Sequence, residues 1–479
     1  MKEQNGPSPW ISVIPLAVLV VLLACVISIF GSDSLSGASQ ISLLIATALC
    51  ASLSMAIYKT KWSAFEDAIT ENVKGTSVSI LILLIIGALA GSWMVSGIVP
   101  TLIYYGIQII HPDFFLVTSC IICAIVSVMT GSSWTTVATI GIALLGIGKA
   151  QGFSDGWIAG AIISGAYFGD KISPLSDTTV LAASVSNTKL FTHIKYMMYT
   201  TVPTISITLV IFMIVGFCLG NSSSHDVTLY TEGLSNTFNI SPWLLLVPVI
   251  TGFLIYKKVP SLITLFASTI MAGIMALIFQ PDLLCHIAEE TTSSAQSLFK
   301  GLMMTFYGST HVDTGVDILN ELVSTRGMSG MLDTIWLILC AMCFGGAMTA
   351  SGMLHSFLNA VFRKLVTSRV GLVFATIFNG ICMNMATGDQ YISIILTASM
   401  FKDIYKKNGY ESKLLSRSSE DSATVTSVLI PWNTCGMTQA SVLGVSTWTY
   451  LPYCFFNLLS PLMSIAQAAL GWKIKKIHR

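Results

Sequence analysis

Charge is what this chain has least of. Only 10% of its 479 residues are Asp, Glu, Lys or Arg, against 53% hydrophobic, where an ordinary soluble domain carries roughly 25% charged residues. The shortage excludes a water-facing globular surface and leaves lipid as the solvent for most of the chain. The charges also nearly cancel, at +1, so bulk electrostatics favours neither nucleic acid nor an anionic surface. Motifs for metal or nucleophilic chemistry are missing too. There is no H-E-x-x-H, and neither Cys120/Cys123 nor Cys340/Cys343 has a His or an acid within six residues, so these cysteines are expected to pack as small hydrophobes. "GIALLGIGKA" has Ala143 and Ala150 where a phosphate loop needs Gly and then Ser or Thr. The expectation is a protein that is neither an enzyme nor a cofactor carrier.

What the chain has in abundance is apolar length. Runs able to cross about 30 Å of hydrocarbon occur at 10–30, 38–57, 74–96, 196–219, 241–256, 259–279, 331–350 and 448–471. The first lacks a small-x-small exit and is followed at once by a second, so it is read as a span and residue 1 as the mature start. Lys59 and Lys61, Lys189 and Lys195, Lys257 and Lys258, Arg363 to Arg369, Lys402 to Arg417 and the tail "WKIKKIHR" carry most of the cations; by the positive-inside rule these segments are cytoplasmic. Segments 31–37, 219–240 and 280–282 contain no Lys or Arg and are expected outside. Asn221 and Asn239 fit the N-x-[ST] pattern there.

The chain matches itself. Shifted by 257 residues, Thr130-Gly131 meets Thr387-Gly388, Gly152 meets Gly409, Pro174 meets Pro431, and Ala183-Ser184-Val185 meets Ala440-Ser441-Val442. The flanking charges run inside to outside in one copy and outside to inside in the other. The fold expected is therefore an all-α polytopic membrane protein of two inverted-topology repeats, each of about five transmembrane helices plus a re-entrant hairpin, with broken helices. The organisation is a cytoplasmic tail 1–8, repeat 9–219, an external loop 220–240, repeat 241–471 and a basic cytoplasmic tail 472–479. Such repeats place ion sites mid-bilayer on discontinuous helices, which points to a transporter.

Four places break the helices: "MTGSSW" (129–134) and "GDKISPLSDTT" (169–179) in the first copy, "MATGDQY" (385–391) and "PWNTCG" (431–436) in the second. Non-helical backbone is tolerated at membrane depth where it lines a cavity. Hard alkali cations want several carbonyl, hydroxyl, amide and carboxylate oxygens. The breaks supply Thr130, Ser132, Ser133, Ser173, Ser176, Asp177, Thr178 and Thr179, then Asn384, Thr387, Asp389, Gln390, Asn433 and Thr434. Any single hydroxyl could instead bond back to the i−4 carbonyl. Acids carry more weight, since an ionisable group at the bilayer centre costs about 2.5–3.5 kcal/mol, and Asp170, Asp177, Asp389, Glu420 and Asp421 lie in or beside the breaks. Burial favours the protonated acid and a bound cation the carboxylate, so such a group can trade H+ for Na+. Lys171 is expected either as the counter-ion of Asp170 or Asp177 or in the cation position of one state. For Arg417 and Glu420 a surface ion pair is the simpler expectation. The acids differ between copies, Asp177 aligning with Thr434, Asp389 with Ser132 and Asp421 with Ser164, which suggests one composite site. Segments 60–75 and 297–330 are expected as interfacial helices, with His311, Asp313 and Asp317 on a solvated face, and Gly87/Gly91 as a close helix contact.

At "SGAYFGDKISPLSDTTVLAASVSNT" and "LSRSSEDSATVTSVLIPWNTCG" the chain resembles the NhaC family of Na+/H+ antiporters over essentially its full length. The resemblance implies a scaffold and a mobile domain, often dimeric, in which hairpin tips at Thr130–Ser133 and Thr387–Gln390 meet broken-helix loops at 173–179 and 431–435. It further implies Na+/H+ antiport across an inner membrane by alternating access, both termini cytoplasmic, with lipid, Na+ and H+ as partners. Na+ would lie at Asp177, Asp389, Thr178 and Thr434, with Asp170, Asp421, Ser176, Thr179, Thr130, Ser132, Ser133, Thr387, Asn384 and Asn433 around it and Lys171 as counter-ion. Ser176-Asp177-Thr178 has Asp where dicarboxylate-carrying relatives have Asn, which suits a cation. One branch of the family exchanges malate for lactate with Na+ and H+, so a coupled organic acid is the alternative reading.

Overall fold

A computed structural model describes residues 7–30, 37–219, 224–257, 259–290, 294–315, 317–353, 356, 366 and 368–474. Among these, nine helices are long and apolar enough to cross a membrane, or up to eleven if each of two bent pairs is one span. They are Pro9–Phe30, Ala38–Tyr58, Trp62–Val95, Pro112–Thr130, Ser133–Ala150, Leu190–Leu219, Ser261–Phe279, Met328–Ala350 and Arg369–Thr387, with Tyr230–Thr237 plus Pro242–Tyr256 and Thr447–Tyr453 plus Phe455–Leu470 as the bent pairs. The protein is an all-α, multi-pass membrane protein. Asn221, Arg363 and most of segment 31–37 fall outside the described residues.

Two local expectations change and one holds. Residues 60–75 are the first half of the continuous helix Trp62–Val95, which at 1.5 Å per residue is about 50 Å long and outreaches the hydrocarbon. No proline divides it and the helix runs on through Gly75, so amphipathicity at one end did not mean a separate element. Segment 220–240 contains the helix Ser224–Thr237, anchored by buried Tyr230, Leu234 and Phe238. Gly87 and Gly91 serve the close packing expected of them, Gly91 against the carbonyl of Thr305 in the helix Ala295–Tyr307 and Gly87 against the backbone of Gly327 and Met328, where a 3-10 turn begins.

The cationic and charge-poor segments collect at opposite ends. Asn239 and Gln280, both from charge-poor stretches, exchange two hydrogen bonds of 3.2 Å. At the other end, the Tyr196 hydroxyl donates to the carbonyl of Lys473 and Arg369 donates to those of Ala468 and Ala469, while Ser8 N–H donates to the Tyr58 hydroxyl.

Two hairpins stand out against this frame. The first has arms Phe115–Thr130 and Ser133–Ala150; its ends lie together, with Phe115 stacked on Phe153 and the Gln151 amide donating to the carbonyl of Ile110. The second has arms Arg369–Thr387 and Gln390–Lys407, its ends tied by Thr376 and Tyr405 at 3.0 Å on the cationic side. Each hairpin lies along the first part of a broken helix from its own half, Asp155–Ile172 or Ser412–Ser419 with the π-helical Glu420–Thr424. The second parts exchange partners. Asp177–Val185 packs on Gln390–Lys407, and Thr434–Leu443 packs on the first hairpin's return arm. This crossing draws both helix breaks and both tips to one centre.

Candidate functional site

In the first half, the chain reverses at Gly131, whose φ of 67° only glycine adopts freely, and Ser132 caps the return arm by accepting the Thr135 N–H. One residue on, Ser133 gives both its N–H (3.1 Å) and its O–H (2.8 Å) to Asp170 Oδ2. Asp170 sits in the last turn of its helix, which stops where Ser173 and Pro174 begin the break. The Ser173 hydroxyl donates to the Val128 carbonyl on the hairpin. Ser176 caps the next segment through the Thr179 N–H, and the Thr179 hydroxyl returns to the carbonyl of Lys171 at 3.0 Å. Side-chain oxygens thus replace the helix bonds that the break removes.

The second half repeats this with the acid moved. Gly388, φ 68°, turns the chain, and Asp389 itself is the cap, Oδ1 accepting the N–H groups of Tyr391 (2.8 Å) and Ile392 (3.0 Å). Its Oδ2 accepts the Thr434 hydroxyl at 3.3 Å. Thr434 N–H donates to the Gly388 carbonyl, and Asn433 bridges to Asn384. Ser427 reaches Gln390 at 3.4 Å. The structure therefore brings together Thr130, Ser132, Ser133, Asp170, Ser173, Ser176, Thr178 and Thr179 at one break and Asn384, Thr387, Asp389, Gln390, Asn433 and Thr434 at the other. The i−4 alternative applies to Thr387, which donates to Met383; Ser133 and Thr179 bond across elements instead.

Asp177 departs from the expectation of a buried acid. It starts the helix Asp177–Val185 with an exposed side chain, while its neighbours Ser176, Thr178 and Thr179 are buried. The aligned Thr434 is buried, with its hydroxyl against Asp389, whereas the side chain of Asp177 is exposed.

Between the halves runs a charged seam whose partners the sequence had misassigned. Lys171 pairs with Asp421 of the other half, not with Asp170 or Asp177, and both are completely buried. Asp421 also accepts from Ser464 (2.5 Å) and Thr200 (3.5 Å). Asp421 thus has Lys171, Ser464 and Thr200 around its carboxylate. Arg417 and Glu420, expected on the surface as an ion pair, are fully buried and do not pair with each other. Arg417 approaches Asp421 at 3.9 Å, donates to Gln467 at 2.5 Å and stacks on Tyr196. Glu420 Oε1 accepts the Thr178 hydroxyl at 3.3 Å. The proximity of cytoplasmic lysines in sequence suggested a surface; the serine run "LSRSSEDSATVTS", too polar for lipid and too apolar at its ends for water, was the signal of a buried polar helix. Gln467, Ser464, Thr200 and His193 carried no such signal, since a lone polar residue at helical spacing in an apolar span is unremarkable.

Among the described residues no three His, Cys, Asp or Glu side chains converge as a metal cage. A cation held at this centre would rest on neutral oxygens with one or two carboxylates, the donor set of an alkali ion. Remote from it, His311 is exposed, and the exposed Asp313 carboxyl is held below the usual carboxylate range by the Gly315 N–H and Asn320 amide. Asp317 opens a short helix.

A model of the Na+/H+ antiporter family matches residues 165–472, from the first broken helix to the end of the last span. The chain is 36% identical over 406 residues to the Na(+)/H(+) antiporter NhaC of Bacillus subtilis, covering 84% of this chain and 86% of that protein. It is equally 36% identical, over 408 residues, to the Malate-2H(+)/Na(+)-lactate antiporter of the same organism, covering 85% and 84%. The arginine/ornithine antiporter ArcD of Halobacterium salinarum is 32% identical over 475 residues, covering 98% and 94%.

Proposed function

The chain belongs to the Na+/H+ antiporter family, and from that premise we propose that it exchanges Na+ for H+ across the cell membrane by alternating access. One observation carries the reading: two hairpin tips and two helix breaks, contributed by both halves, converge on the buried acids Asp170 and Asp389. In this reading the two acids hold either Na+ or H+, helped by Ser133, Thr434, Asn384 and the hydroxyls of Thr178 and Thr179. Asp177 stands at the mouth, where its charge draws cations in. Lys171 is the fixed counter-ion of Asp421.

Repeated hydrogen bonds at the 257-residue offset support the two repeats, 9–219 and 241–471. Ser127 and Asn384 both reach the carbonyl of an aligned alanine, Ala166 or Ala423, at 2.6 Å. The hairpins close at opposite ends of the molecule, which supports inversion. Cationic flanks beside both the first and last helices support two cytoplasmic termini in an inner membrane. Lipid is then the main partner, and a second copy a further one.

A second reading keeps the same centre but couples an organic acid, favoured by the equal identity to the malate–lactate relative. Everted vesicles with an imposed pH gradient separate the two. We expect Na+ alone to dissipate the gradient; a response only when malate or lactate is present would overturn antiport of Na+ and H+ by themselves.

A further inference from the structure

Three helices bury polar stripes against one another between the cationic face and the composite centre. On Leu190–Leu219 the stripe is His193, Thr200 and Thr204; on Phe455–Leu470 it is Asn457, Ser460, Ser464 and Gln467; on residues 412–424 it is Ser416, Arg417, Glu420 and Asp421. All are at or near zero exposure. Spacings of three, four or seven residues, with the adjacent pairs Ser416/Arg417 and Glu420/Asp421 side by side, put each set on one helix face. The stripes meet: His193 with Ser416 at 2.8 Å, Gln467 with Arg417 and with the Tyr199 carbonyl, Ser464 and Thr200 with Asp421. The outer end lies by Tyr196 and Lys473 on the cationic side, and the inner end by the Lys171–Asp421 pair and the Glu420–Thr178 contact at the first helix break.

Apolar side chains would fill these positions more cheaply, since a buried polar atom without a partner costs about 1–3 kcal/mol. Yet His193 Nε2, Glu420 Oε2, Asn457 Oδ1 and Ser460 Oγ are buried with no hydrogen-bond partner. Orphaned polar atoms in a continuous polar seam are where single bound waters belong.

We propose that this three-helix seam is the proton's own route between the cationic face and the composite site, with hydroxyls and single waters passing H+ while Na+ reaches the site elsewhere. Each hop breaks one O–H bond and forms the next, so a proton enters at one end as another leaves at the other, and no oxidant or further reactant is needed. Side chains packed to zero exposure leave no passage for an ion that must carry or exchange a hydration shell. Two fixed cations, Lys171 and Arg417, also line the inner half, offset by Asp421 and Glu420. A proton needs only a file of oxygens.

The inference rests on the antiport reading, and its tests are chosen to fail separately. In proteoliposomes of the full chain, Ser460→Ala and Thr200→Val should each slow Na+-driven H+ movement about tenfold, with Na+/Na+ exchange at equal pH on both sides changed by less than about twofold. Thr200→Ser should restore the rate, and Ser206→Ala, on the exposed face of the same helix, should do nothing. Loss of both fluxes together, or of neither, would overturn the proposal. Independently of any variant, radiolytic hydroxyl labelling of the wild-type protein should oxidise His193 despite its burial, because bound water lies beside it; a His193 as protected as a dry core residue would also overturn it. Wild-type vesicles that move no H+ in response to Na+ would sink the antiport reading instead, while the labelling would still report on the seam.

Discussion

The two hairpin tips share a backbone and differ in where they keep their acid. Thr130 and Thr387 each hold their hydroxyl 3.1 Å from the carbonyl two residues on, and each lies beside the hydroxyl six residues on, Thr136 or Ser393. Gly131 and Gly388 turn the chain at nearly the same φ. In the first half, however, the cap is Ser132 and the acid is Asp170 across the gap; in the second the cap is the acid, and a neutral Thr434 answers it from across the gap. Capping geometry follows the duplicated backbone, while the charge sits on whichever of two meeting elements mutation has left it. In the proposed reading, one centre would then hold two differently mounted acids, Asp170 and Asp389.

The largest effect should come from cutting the pair that crosses between the halves. Lys171→Met leaves the buried Asp421 with the more distant Arg417 as its cationic neighbour, and breaking a buried pair costs about 3–5 kcal/mol. Thermal melting of the purified protein should drop sharply for Lys171→Met and for Asp421→Leu. The double variant should regain most of that loss, because two apolar groups need no partner, but it should not regain transport. If the double variant is no more stable than the singles, the pair is not what ties the halves together.

Next come the two acids. Asp389→Asn keeps a good N-cap and should leave the melting temperature nearly unchanged while reducing Na+-driven H+ movement about a hundredfold, equivalent to ~2.7 kcal/mol. Asp170→Asn should do the same, since Ser133 still finds an oxygen. Two similar losses fit one composite centre. Near wild-type flux in either variant would mean that the halves work apart.

How much of this was legible follows the same asymmetry. Span positions, both hairpin tips and both breaks could be read because lipid forces long apolar runs and any interruption is conspicuous. The positions of the breaks could be read because Gly131, Gly388, Pro174 and Pro431 stop helices through local geometry alone. Partnerships across the halves could not be read: Lys171 sits beside Asp170 in sequence but reaches Asp421, 250 residues away. Nor could the fate of Asp177 and Glu420, since burial depends on which helix lies over a residue, and the exchange of broken-helix ends that decides it leaves no local mark.

The tips can be separated further through their glycines. A Cβ at Gly131 would stand 2.6 Å from the backbone of Leu175, whereas at Gly388 its nearest neighbour is the Ala341 Cβ at 3.2 Å. Both alanine variants suffer the left-handed penalty of about 1–2 kcal/mol; Gly131→Ala should lose about 1 kcal/mol more, because backbone yields less than a side chain. Melting temperatures check the order, and equal losses would mean that the first tip is free to shift away from its break.

The smallest effect is expected at Asp177, the residue that sequence alone put at the centre. Its exposed carboxylate begins a helix, where a negative charge is favoured by about 0.3–1 kcal/mol, and Asp177→Asn should cost no more than that in stability. If Asp177 serves only to gather cations at the mouth, the variant should raise the Na+ concentration for half-maximal exchange about twofold to threefold. The shift should fade at high ionic strength, where long-range attraction is screened within about 8–10 Å, and the maximal rate should stay intact. A folded Asp177→Asn protein with no exchange at any Na+ concentration would reverse the ranking: the exposed acid would then belong with Asp170 and Asp389, and the first break would have to close over it during the cycle to supply the burial that its aligned partner Thr434 already has.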